Sequence, residues 1–96
     1  MGYAWIIDYA DAGTGADEMG TIGPHHADRK LVGRLVHERA GDTFRMKDDD
    51  GEVCYVGRII LDDDTSGFEP LDDFGMPNAG CTSIEYREKT GAWVML

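Results

Sequence analysis

Apolar residues recur at every second position near the start of the chain and at a 3.6-residue spacing once, and these two periods predict its main elements. Residues 3–9 (YAWIIDY) are aromatic and β-branched, the composition of a strand. Strand alternation would put Tyr3, Trp5, Ile7 and Tyr9 on one face and Ala4, Ile6 and Asp8 on the other. Residues 10–23, with four Gly and the acids Asp11, Asp17 and Glu18, read as a long loop. Asp28 then fits a helix N-cap. Leu31, Val32, Leu35 and Val36 form the 3.6-period stripe, which ends near Ala40, with Gly41 at the C′ position. Gly33 inside this helix costs about 1 kcal/mol relative to Ala and suggests close packing against a neighbour.

Residues 43–47 (TFRMK) alternate apolar and basic and predict a half-buried strand. Asp50-Gly51 is a hairpin turn signal. The return strand, residues 52–61, is apolar on both faces around Arg58, so it should be central, with the helix over one face. Residues 62–80 are rich in Asp, Gly and Pro and read as irregular, with one turn of helix after Pro70. Phe68, Leu71 and Phe74 would pin this segment to the body. Residues 81–88 and 92–96 predict two more strands around a turn at Thr90-Gly91. The order β-α-β-β-β-β, with its short turns, implies an α+β fold: one helix packed on a mainly antiparallel sheet of four to five strands. At 96 residues, 1–96 is a single domain.

Charge changes the picture most. Asp48, Asp49, Asp50, Glu52, Asp62, Asp63, Asp64, Glu69, Asp72 and Asp73 fall within residues 48–73 beside a single base, Arg58, a net of −9 in a chain of net −10. Carboxylates so crowded repel one another, and folding brings them closer. A chain that tolerates this cost is expected to use the negative surface to meet something positive. Nucleic acid and anionic lipid would be repelled, so neither direct nucleic-acid binding nor membrane binding is expected. The best basic stretch, residues 28–47, holds six bases and three acids. The longest apolar runs are a few residues, as at Ile59-Ile60-Leu61, which argues against a transmembrane helix. Early acids at Asp8 and Asp11, with no early Lys or Arg, argue against a signal peptide and for a cytoplasmic protein.

Candidate chemistry is sparse. Asp62, Asp64, Ser66, Gly67 and Asp73 match part of a calcium-loop spacing, but a strand precedes them, Pro70 sits at the ninth position, and a solvated acidic loop is the simpler reading. His25-His26 beside Asp17 and Glu18 could approach a metal, although adjacent histidines seldom point at one ion. Gly13-Thr14-Gly15 lacks the Gly-Lys-Ser/Thr that completes a phosphate loop. Cys54 and Cys81 belong to no C-x-x-C pair, so two reduced, buried thiols are expected, with a disulfide the alternative if their strands lie adjacent. Ser66, Ser83 and both cysteines lack a His at diagnostic spacing, so no catalytic residue, metal site or cofactor is assigned.

The start YAWII, the segment FRMKDDDG at residues 44–51 and the string GFEPLDDFGMPNAGC at residues 67–81 resemble small acidic proteins encoded by phages, prophages and plasmids. The resemblance spans most of the chain and implies a mobile-element origin. It brings no catalytic residues with it. Many such proteins neutralise host defence or regulatory proteins, some by imitating DNA, and anti-CRISPR proteins are one class of this kind.

Charge and resemblance together lead to a non-enzymatic inhibitor or regulator in the host bacterial cytoplasm. It would bind a basic, nucleic-acid-handling host protein, such as a subunit of a CRISPR surveillance complex, and cover its DNA- or RNA-binding surface. The ten window acids are the expected contacts, acting as a field, provided that residues 48–52 and 62–73 share one face. The alternatives are a weak divalent-cation binder at residues 62–73 and a self-associating module. In the latter, Arg29, Lys30, Arg34 and Arg39 of one copy meet the acidic window of another. The state expected is a monomer or small homo-oligomer.

Overall fold

The computed structural model describes residues 3–11, 19–25, 27–61 and 66–96. They form an α+β fold built on one six-stranded antiparallel sheet. Its strands are β1 (Ala4–Ala10), β2 (Ile22–Gly23), β3 (Asp42–Lys47), β4 (Val53–Ile60), β5 (Ser83–Arg87) and β6 (Trp93–Met95). The spatial order is β2-β1-β4-β3-β5-β6. Helix α1 (Arg29–His37) follows β2, and a π-helical turn (Leu71–Gly75) running into α2 (Met76–Ala79) lies between β4 and β5.

β4 is central, as its two-sided apolar pattern predicts, between β1 and β3. One sheet face carries Trp5, Ile7, Phe44, Met46, Tyr55, Ile59 and Ile84, which pack with Leu71 and Phe74 of the π-helical turn. The Phe74 ring centroid lies 5.3 Å from that of Trp5 and 5.0 Å from that of Tyr55. Gly57 makes this layer fit, because a Cβ there would lie 2.2 Å from the Ile6 carbonyl oxygen and 2.7 Å from the Phe44 ring.

The opposite face is covered over β1 and β4 by α1. Asp28 caps this helix, its Oδ1 accepting from the Lys30 N–H at 2.7 Å. Arg58 fastens the other end. Its guanidinium donates to both carboxylate oxygens of Asp8, at 2.8 and 3.0 Å, and to the carbonyls of Leu35 and Ala40 at 2.8 and 3.1 Å. The last two carbonyls lie at and beyond the end of α1, where backbone acceptors lack intrahelical partners.

Several sequence expectations need correction. There are six strands, because Ile22 and Gly23, read as loop, pair with β1; the order is therefore β-β-α-β-β-β-β. Tyr9 does not share the Trp5 and Ile7 face. A bulge between Ile7 and Tyr9 shifts the register, leaving Tyr9 half exposed and Ala10 buried. Helix α1 stops at His37, earlier than predicted, and the left-handed residue after it is Arg39 (φ 52°), with a second positive φ at Gly41. Of the apolar stripe only Leu35 is fully buried, and Val36 is exposed. Among the described residues, a Cβ on Gly33 would meet no atom outside its own stretch of helix within 4 Å, so that glycine does not mark close packing. The helical segment after Pro70 is longer than one turn, and Phe68 stays exposed while Leu71 and Phe74 enter the core. Cys54 and Cys81 are free, buried thiols.

Candidate functional site

The acidic window folds into two described parts. The first is the β3–β4 turn. Asp48 closes it: its Oδ1 accepts from the Asp50 and Glu52 N–H groups at 2.9 and 3.0 Å, and its carbonyl from Gly51 at 3.0 Å. An Asp side chain does this well because it imitates a backbone turn, and Gly51 supplies the left-handed conformation (φ 79°). With Asp48 so engaged, Asp49, Asp50 and Glu52 project into solvent.

The second part is the segment from Ser66 through the π-helical turn. Glu69 folds back on its own chain, accepting from the Gly67 N–H at 2.7 Å, the Ser66 N–H at 3.0 Å and the Ser66 hydroxyl at 3.2 Å. Burial opposes its ionisation, but these donors outweigh that effect and hold its carboxyl below the usual carboxylate range. Asp73 Oδ2 accepts from the Tyr3 hydroxyl at 2.6 Å and the Trp5 indole N–H at 3.1 Å. Burial, then the bond to Asp73 and the nearby charges of Asp73, Glu69 and Asp72, push the Tyr3 phenol well above its ordinary value. Asp72 is exposed.

These two parts do not adjoin. The turn precedes Val53 at one end of β4, whereas Asp73 is held by Trp5, which pairs with Ile59 near the other end. Six strand steps separate Val53 from Ile59, about 20 Å. The described acids therefore form two sets, Asp48, Asp49, Asp50 and Glu52 in one and Glu69, Asp72 and Asp73 in the other. Asp62, Asp63 and Asp64 lie outside the described residues, as do His26, Asp17 and Glu18 of the histidine-loop reading and Gly13 to Gly15.

The window's only base does not neutralise it. Arg58 is buried and engaged by Asp8 and α1, on the sheet face away from the π-helical turn. Its hydrogen bond to Asp8 raises its already high pKa against the effect of burial. Among the described residues, the remaining ion pairs join Arg34 to Glu38 and Arg45 and Lys47 to Glu85, and none involves a window acid. Sequence reasoning missed Asp8 and Glu85 as the acceptors of this positive charge. Only the alternation of residues 43–47, which puts Arg45 and Lys47 on one face, hinted at such a cluster.

Comparison with known proteins found no family model, curated protein or solved structure that matches this chain. Among the described residues no group of His, Cys, Asp and Glu is arranged to hold a metal ion, and no helix is long and apolar enough to cross a membrane.

Proposed function

We propose that this protein is a non-enzymatic inhibitor or regulator that binds a basic, nucleic-acid-handling protein and occupies its phosphate-binding surface. The observation that supports this most is the fate of the positive charge. Arg58, Arg45 and Lys47 are engaged by Asp8 and Glu85, and among the described residues no window acid takes part in an ion pair. The strand positions beside the two acid sets, Val53 and Ile59, lie about 20 Å apart, on the scale of roughly six base-pair steps of duplex. The reading is accordingly a two-point contact with separated cationic patches rather than one continuous strip. A mobile-element origin and a CRISPR-complex target belong to the same proposal and rest on the resemblance alone.

The test is capture of nucleic-acid-binding proteins from bacterial extract on the immobilised chain, followed by elution with duplex DNA. Asp49→Asn/Asp50→Asn/Glu52→Gln should weaken capture, Asp72→Asn should weaken it further, and DNA should displace what binds. Full retention by the combined variant at physiological salt would overturn the proposal. The exposed cations Arg29, Lys30 and Arg39 favour a second reading, in which α1 of one copy meets the acidic turn of another. Sedimentation at low and high salt decides it, because such self-association must weaken as salt rises.

A further inference from the structure

The two edges of the sheet differ. β2 offers two residues before Pro24, too little for another strand to pair with. β6 offers Trp93, Val94 and Met95, and among the described residues no strand pairs with its outer side. The ladder to β5 joins Leu96 N–H to the Ile84 carbonyl and Glu88 N–H to the Ala92 carbonyl, at 3.1 and 2.8 Å. By alternation, Val94 also faces β5, and the N–H and C=O groups of Trp93 and Met95 point outward.

The two sides of this edge have different chemistry. On the core side, Leu61, Gly67, Tyr86, Val94 and Leu96 line a mainly apolar groove of about 290 Å³, which Asp42 also borders. Val94 and Leu96 are 46% and 48% exposed, and Phe68 beside Gly67 is exposed too. The Tyr86 hydroxyl donates to the Gly67 carbonyl at 2.7 Å, joining two of the residues that line the groove. On the other side, beyond the reach of α1, the sheet carries Arg45, Lys47 and Arg87 against one acid, Glu85. The Arg45 guanidinium lies 4.2 Å from the centre of the Trp93 ring, and Arg87 stands opposite Trp93. In a chain of net −10 this face is locally cationic.

We propose that β6 is a docking edge for an extended peptide segment of a partner protein, one that alternates apolar and acidic residues. Strand addition satisfies the outward groups of Trp93 and Met95. Every second side chain of the added strand then enters the groove beside Val94 and Leu96. The intervening side chains fall on the Arg45 and Arg87 side, where charge complementarity selects Asp or Glu. A second copy of β6 fits less well: it would offer Trp93 and Met95 to that cationic side, and neither carries an acidic side chain. The edge shares no residue with the two acid sets, so this docking stands or falls apart from the function proposed above.

Fluorescence anisotropy with labelled seven-residue peptides tests it. A peptide alternating glutamate and valine should bind saturably, and its lysine–valine counterpart about ten-fold or more weaker. Methylating the backbone nitrogens that face the edge should cost roughly ten-fold, whereas methylating the alternate nitrogens should cost little. Val94→Glu should abolish binding with an unchanged circular dichroism spectrum, since the site is exposed. Equal binding of the acidic and basic peptides, or indifference to methylation register, overturns the proposal. So does a salt-insensitive dimer in sedimentation that Val94→Glu dissociates, because the edge would then belong to a second copy.

Discussion

Replacing Arg58 tests how the fold is held together as well as how its charge is distributed. Arg58→Met keeps most of the side-chain volume and its apolar stem, while removing the bidentate contact to Asp8 and the two donors to Leu35 and Ala40. Removing one partner of a buried ion pair costs about 3–5 kcal/mol. Here the Arg58 side chain is 10% exposed but that of Asp8 is 29% exposed, so water can rehydrate the orphaned carboxylate in part. The discount brings the expected loss to about 2–4 kcal/mol. In a domain of this size that lowers the melting temperature by about 10–20 °C. Urea unfolding followed by tryptophan fluorescence measures it. Asp8→Asn, which leaves an acceptor in place, should cost less, about 1–2 kcal/mol. The double variant should cost less than the two single losses added together, because no unpaired carboxylate remains. An Arg58→Met protein within about 0.5 kcal/mol of the parent, or losses that add without coupling, would refute the account of Arg58 as the clasp between α1 and the sheet.

Two glycines should respond in opposite directions. Gly33→Ala, in open space within α1, should stabilise by about 0.5–1 kcal/mol. Gly57→Ala, whose Cβ would meet the Ile6 backbone, should destabilise by about 1–3 kcal/mol or prevent folding, both read from urea midpoints. Burial, with the neighbouring Cys54 thiol next in weight, pushes the Cys81 thiol up to about 12. An unfolded thiol loses its proton near ~8.5, so the folded chain binds more protons above that pH. The contribution of Cys81 is complete below ~8.5 and disappears as pH rises toward 12. Unfolding curves at pH 7, 9 and 10 should show a shallower alkaline decline for Cys81→Ala than for the parent.

Much of the fold was legible because local chemistry and tertiary context agree. The period of residues 3–9, the Asp28 cap, the Asp50-Gly51 turn and the two-sided apolar run of β4 each specify their own conformation. The misses occur where a partner distant in sequence decides. Ile22 and Gly23 are too few to show a period, and only β1 makes them a strand. The segment around Gly75, Pro77 and Asn78 has poor helix formers, yet it is helical against Met46; a Cβ on Gly75 would lie 2.5 Å from the Met46 sulfur. The bulge in β1 has no signature in residues 3–9. As for the candidate site, the acids and their excess could be counted from the sequence. That Arg58 turns to a carboxylate fifty positions away, and that Asp73 holds Tyr3 and Trp5 near the far end of β4, could not.

The acids differ in how freely they can change. Asp49, Asp50 and Glu52 are tied to the fold by no side-chain hydrogen bond among the described residues, whereas Asp73 anchors two aromatic side chains and Asp48 and Glu69 order their own loops. Under the proposed function, a change in the partner's surface could be followed by redrawing the tip of the hairpin one residue at a time with little structural damage. The same experiment in drift at Asp73 would loosen the start of the first strand. Variation among descendants of this chain should therefore gather at the hairpin tip and spare the anchor.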